Sequence, residues 1–211
     1  MPMPLAHCAA GAAAFVAFSP GAFLKQGKAR WILLAACLFL ANLPDLDFLP
    51  GLLMGAPNRY HQGFSHSLFF MFCFATLAFF LLNRYRARQA AEFPARRLLF
   101  CLLVAGLSHP ILDFFSLDTS APQGVPLFWP FSPEHYSSPW PLFLNVQRAD
   151  LPGMAFFASL LSMHNLRGAL RELLFGLALL LLVYAARRRG RRAWSASLFG
   201  LTLMVALFII R

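Results

Sequence analysis

In the stretch "SHPILDFF", His109 and Asp113 stand four residues apart, the spacing that brings two side chains to one face of an α-helix. A neutral imidazole and a carboxylate so placed can bind one cation. "NLPDLDFLPG" adds Asp45 and Asp47 just after Pro44, where a helix is expected to end or fray and a DxD turn can hold one metal ion or bridge two. "RYHQGFSHSLFF" adds His61 and His66 at the head of an apolar run, and His7 opens another. Imidazole and carboxylate together suit Zn²⁺, with Mn²⁺ or Fe²⁺ as alternatives. Such an ion would lower the pKa of a bound water from about 15.7 toward 7. Asp47 or Asp113, if not fully used as a ligand, is placed to take the water's proton.

The elements that must position these groups are membrane helices. The chain has 211 residues, 59% hydrophobic and only 12% charged, with a mean hydropathy of +0.63. Those values lie outside the soluble globular range. A helix needs about 20 mostly apolar residues to cross the hydrocarbon. Six candidate spans follow, at about 5–24 (Ala/Gly-rich), 31–46, 65–82, 98–115, 169–186 and 193–210. The expected fold is an all-α polytopic helical bundle forming one domain over 1–211, with no internal repeat and no soluble second domain. Cys8, Cys37, Cys73 and Cys101 sit singly in apolar segments without a CxxC and read as small buried hydrophobes.

The net charge of +10 is clumped. Lys25, Lys28 and Arg30 fill the first loop, Arg84, Arg86, Arg88, Arg96 and Arg97 the third, and "RRRGRR" the fifth. All three fall on one side of a six-span arrangement. By the positive-inside rule that side is the cytoplasm, which places both chain ends outside the cytoplasmic membrane. The basic clusters are thus orientation signals, and nucleic-acid binding is not expected. The outer loop, about 116–168, holds "SAPQGVPLFWPFSPEHYSSPWP", irregular chain suited to the headgroup layer. It is followed by "DLPGMAFFASLLSMHNL", read as an interfacial helix with an Asp near its N-cap.

Ionisable side chains inside spans are costly and mark function or a buried pair. At about 1.5 Å of rise per residue, His109 lies about 16 Å and Asp45 about 21 Å from the cytoplasmic end of its span. His7, Asp45, Asp47, His61, His66, His109 and Asp113 therefore all fall between mid-membrane and the outer surface. That placement agrees with an orientation taken from Lys and Arg alone. The outward basic residues Arg59, Arg148, Arg167, Arg171 and Arg211 adjoin none of them in sequence, so a divalent metal is the economical counter-charge. His135 and His164 read as ordinary interfacial residues, and Glu134, Asp118, Asp150 and Glu172 as weaker candidates still.

At these residues the chain resembles the YdjM-like family of membrane-bound, predicted metal-dependent hydrolases. "AH" near the start, "NLPDLDFLPG", "HQGFSHSL", "SHPILDFF" and "GVPLFWPFS" carry the likeness over about residues 5 to 132. The resemblance implies metal-binding roles for the same seven residues. It also implies a distant analogy with all-helical zinc-dependent phospholipases C, which use an HxxxD pair on a helix. One position departs: where the family often has arginine after the first histidine of HxGxxHS, this chain has Gln62. If that arginine steadies an anionic substrate, Arg59 or Arg148 must do so here, or the substrate differs.

The expected function is a metal-dependent hydrolase with its site recessed in the outer leaflet, acting on a phosphoester of a membrane lipid or lipid-linked substrate. A transporter would need polar groups continuing toward the cytoplasm, but the inner halves of the spans are nearly pure Leu, Phe and Ala. A non-catalytic scaffold with a structural metal would close its site with four ligands, fewer than the seven candidates. Oligomeric state is left open.

Overall fold

Pro44 has no N–H to donate to the turn before it, so the helix that runs into it stops there. The chain continues through a 3-10 turn, Pro44–Asp47, into a short helix bent by 56° from the first. That break sets the place of both aspartates of the DxD pair. The computed structural model describes residues 2–21, 23, 27–56, 59–88, 93–119, 122–149, 153–188 and 191–209. Lys25, Asp150 and Arg211 lie outside them. The described residues form eight α-helices and no named strand: α1 Pro4–Phe18, α2 Lys28–Asn42, α3 Phe48–Leu53, α4 Leu68–Arg88, α5 Ala95–Phe114, α6 Met154–Ser159, α7 Met163–Arg187 and α8 Arg191–Ile209.

Each expected span coincides with a helix, but the helices differ in reach. Among the described residues, three (α4, α5 and α7) are long and apolar enough to cross a membrane, or four if α2 and its bent continuation count as one. At 15 residues, α1 is only about 22 Å long by helix rise, shorter than the span of 5–24 read from its composition.

Its composition explains where α1 sits. Ala6, Ala10, Gly11, Ala13 and Ala14 are buried, and α1 packs against α2, α5 and α7. Small residues let helix backbones approach closely. A Cβ on Gly11 would come within 2.8 Å of the Cys37 carbonyl oxygen on α2, and one on Gly176 within 2.8 Å of Ala9 Cβ. The Ala/Gly-rich candidate span is thus the inner strut of the bundle. Cys37 and Cys101 are fully buried beside it, their sulfurs 3.4 Å apart, whereas Cys73 is exposed.

The basic residues collect at one set of helix ends. Lys28 and Arg30 open α2, Arg84 and Arg86 close α4, Arg96 and Arg97 open α5, and Arg187 closes α7. Arg187 also donates to the Val16 carbonyl at the end of α1. At the opposite ends lie His7, the DxD turn, the His61–His66 segment and the last two turns of α5.

The connection between α5 and α7 is mostly irregular, held by isolated pairings of Ser116 with Phe143 and Val125 with Tyr136. It is tied to the bundle: the Leu68 N–H, at the exposed start of α4, donates to the Leu127 carbonyl at 3.0 Å. The expected interfacial helix is shorter than its sequence pattern. It covers only Met154–Ser159, and a break precedes Ser162, whose hydroxyl accepts from the Asn165 N–H at 3.2 Å and starts α7 early. Ser/Thr capping of this kind outcompetes continued helix.

Candidate metal centre

Four segments bring their polar side chains to one point. α1 contributes His7 from its first turn. The turn after α2 contributes Asp45, and a second 3-10 turn, Phe64–His66, contributes His66. α5 contributes His109 and Asp113 from one face. His7, His66 and His109 are fully buried and Asp113 is nearly so. The rings of His7 and His109 stack with centroids 3.9 Å apart, and His66 meets His109 edge-on at 5.0 Å.

The hydrogen bonds around this cluster decide which nitrogen of the His61, His66 and His109 rings faces it. His109 Nδ1 lies 2.7 Å from the Ala41 carbonyl, one of the carbonyls that the end of α2 leaves without a helical partner. A carbonyl only accepts, so Nδ1 carries the proton and Nε2 is left with a lone pair. Asp47 does the same for two rings. Its Oδ1 accepts from His61 Nδ1 at 2.9 Å, and its Oδ2 lies 3.3 Å from His66 Nδ1 and accepts from the Ser65 hydroxyl at 2.9 Å. A carboxylate behind a histidine fixes tautomer and ring orientation in this way at many metal sites.

What remains is a set of buried acceptors without hydrogen-bond partners: Nε2 of His7, His61, His66 and His109, Oδ1 of Asp45, and both oxygens of Asp113. Pairs of these atoms lie 3.2–3.7 Å apart. Ligand atoms about 2.1 Å from a tetrahedral ion are about 3.4 Å from one another, so the donor set fits a cation of that kind. Three overlapping groups have all their ligand atoms within 4.8 Å: His7, Asp45 and His109; Asp45, His61 and His66; His66, His109 and Asp113. Asp45 and the two histidines His66 and His109 are each shared by two groups.

Of the seven residues picked from the sequence, six enter these groups and Asp47 stands one step behind. His61 lies between α3 and the second 3-10 turn. Burial pushes its imidazole below the usual pKa, against the Asp47 hydrogen bond that favours the cation, and the charge of Arg148 adds to the lowering. A neutral ring is the form that ligates metal.

The remaining candidates lie elsewhere. His164 Nε2 lies 2.8 Å from the Asn145 carbonyl, and Glu134 accepts from the Tyr136 hydroxyl at 2.9 Å. Asp118 accepts from Gln62 Nε2 at 3.2 Å and from the Gly124 N–H at 2.9 Å, tying the outer connection to the His61 loop. Glu172, ranked low from sequence, is buried on α7 and accepts from the backbone N–H groups of Met3 and Ala6 at the start of α1. It thereby anchors the turn that carries His7. A carboxylate inside an apolar span is signal enough to look for such a role. Ser65, a short polar residue between two histidines, places its hydroxyl 2.9 Å from Asp47 Oδ2 and 3.2 Å from His66 Nδ1.

The arrangement has a mouth. Asp45 and His61 line a cavity of about 540 Å³ together with Arg148 and the apolar side chains of Leu5, Phe48 and Phe156.

No solved structure matches the chain. It is similar to the inner membrane protein YbcI of Escherichia coli (strain K12), with 38% identity over 113 residues, 51% of this chain and 59% of that relative. The family model described as YdjM inner membrane protein matches residues 1–209. With that match over nearly the whole length of a bundle of apolar helices, the chain belongs to the YdjM family of inner membrane proteins.

Proposed function

We infer that the protein is a metal-dependent hydrolase of the inner membrane that cleaves a phosphoester in a lipid or lipid-linked substrate. The observation behind this reading is a set of seven buried nitrogen and oxygen atoms that lack hydrogen-bond partners and are turned toward one another, imidazole against carboxylate. Left without hydrogen bonds, each would cost about 1–3 kcal/mol.

His7, Asp45, His61, His66, His109 and Asp113 would hold the ion or ions, Zn²⁺ first among candidates, with Asp45 at the position shared by two groups. Six ligands exceed the four of a closed structural site, which favours more than one ion and an open position. When bound, the metal would polarise a water and a phosphoryl oxygen. Asp47 holds the His61 and His66 rings in their ligating tautomers. Asp113, whose two oxygens have no hydrogen-bond donor, is the carboxylate placed to receive the proton of the attacking water. The apolar wall of the neighbouring cavity excludes bulk water and suits an alkyl chain.

The orientation in this proposal has six spans, both termini outside, and the centre toward the extracytoplasmic leaflet. The separation of the basic helix ends from the histidine cluster supports it.

Metal content of detergent-purified protein tests the reading. Wild type is expected to hold stoichiometric zinc or manganese, and His66→Ala and His109→Ala to lose most of it at matched folding. A folded wild type that neither carries nor takes up metal would overturn the proposal.

A further inference from the structure

We propose that the cavity beside the metal centre is the seat of a phosphate-bearing amphiphile, with Arg148 as the residue that grips its phosphate. This rests on the hydrolase reading and names the group that reading leaves open.

The sequence leaves Arg59 and Arg148 as alternatives for an anionic group, and the hydrogen bonds favour Arg148. On one side, Gln147 is clamped at both backbone groups: its N–H donates to Asn165 Oδ1 at 2.8 Å, and its carbonyl accepts from Asn165 Nδ2 at 2.6 Å. On the other side, the Ala149 N–H donates to the Ser159 hydroxyl at 2.8 Å. Asn165 is 1% exposed. A buried amide on α7 and a hydroxyl on α6 thus fix the backbone on both flanks of one residue in otherwise irregular chain. That residue carries its guanidinium over the Phe48 ring, 5.5 Å from the centroid, at the wall of the cavity.

Among the described residues, Arg148 is the one cation lining that cavity. At about 540 Å³ the cavity falls in the range of small-molecule sites, about 300–1,000 Å³. Its chemistry is divided. Arg148, His61 and Asp45 supply the polar and charged groups, and the rest of the lining is apolar, with Phe48 and Phe156 in ring contact at 5.2 Å. A ligand that satisfies both is anionic at its head and apolar behind it. Phosphate fits the head better than carboxylate does. The arginine fork engages two oxygens, which uses up a carboxylate but leaves a phosphate with an oxygen to turn toward the ion that Asp45 and His61 would help to hold.

The test is calorimetric titration of the metal-loaded, full-length protein with dihexanoyl phosphatidate, with dihexanoylglycerol and inorganic phosphate as matched probes. Wild type is expected to bind the phosphatidate at least tenfold more tightly than either probe. Arg148→Gln is expected to lose at least tenfold in phosphatidate affinity at unchanged metal content, and Arg148→Lys to recover part of it. Leu160→Trp, which adds bulk to the apolar lining, is expected to weaken phosphatidate binding and leave inorganic phosphate binding unchanged. Wild-type affinity in Arg148→Gln, no phosphatidate binding at all, or inorganic phosphate binding as tightly as the lipid would each overturn the proposal. Those results with metal in place leave the hydrolase reading standing, whereas a protein that takes up no metal removes that reading first.

Discussion

His109 and Ala41 are joined by a 2.7 Å hydrogen bond from the imidazole Nδ1 to the backbone carbonyl. The bond satisfies a carbonyl at the frayed end of α2 and aims the other ring nitrogen at Asp45 and Asp113. Replacing His109 therefore removes a candidate ligand and leaves a buried carbonyl unpaired. His109→Ala should lower the thermal midpoint as well as the metal content. Asp113→Asn, which keeps shape and loses charge, should reduce metal affinity by at least tenfold with a smaller loss of apoprotein stability. Melting curves recorded with and without chelator separate the two effects.

Asp47 and Asp45 differ in rank although one residue separates them. Asp45 Oδ1 faces the histidine nitrogens, and Asp47 faces the backs of two rings. Loss of an orienting partner typically lowers metal affinity about 10–100-fold. Asp47→Asn is expected in that range and Asp45→Asn beyond it, measured by competition with a chelator of known affinity.

Glu172 accepts two backbone N–H groups at the start of α1. Leaving a buried donor unsatisfied costs about 1–3 kcal/mol, so Glu172→Ala, which orphans two N–H groups, should be strongly destabilising and Glu172→Gln, which keeps one acceptor oxygen, less so. Because His7 rides on the same turn, metal content should fall in the same order. Thermal denaturation and elemental analysis of the two variants check this.

Gly11 has no room for a methyl group: its Cβ would meet backbone oxygen, which cannot rotate away. Gly11→Ala should push α1 from α2 and cost about 1–3 kcal/mol, the usual range for overpacking. Gly27→Ala, where a Cβ meets nothing within 4 Å, is the control, expected to melt close to wild type.

Much of the centre was legible because membrane burial makes polar residues conspicuous. An imidazole or carboxylate in an apolar run stands out one residue at a time, and six of the seven so found turn ligand atoms toward one another. What sequence could not separate was ligand from support. Asp47 and Asp45 have the same chemistry and neighbours, and only the bend after Pro44 turns one toward the cluster and the other behind it. The place of α1 was hidden for a related reason. A long run of large apolar residues marks a span that meets lipid, whereas α1 packs between helices through small side chains, so its alanines and its one glycine made the central element look the weakest. Asn165 and Ser159 were invisible because their partners, Gln147 and Ala149, are set by the path of an irregular connection.

The bond between Glu172 and the start of α1 also sets a timetable. The acceptor lies 166 residues after Ala6, and ribosomes add about 5–20 residues per second. The first histidine of the centre therefore waits roughly 10–30 s at that synthesis rate before its anchor exists. Until α7 is made, the turn bearing His7 lacks this anchor. Under the proposed function, a nascent fragment would therefore offer an ion an unfinished cage.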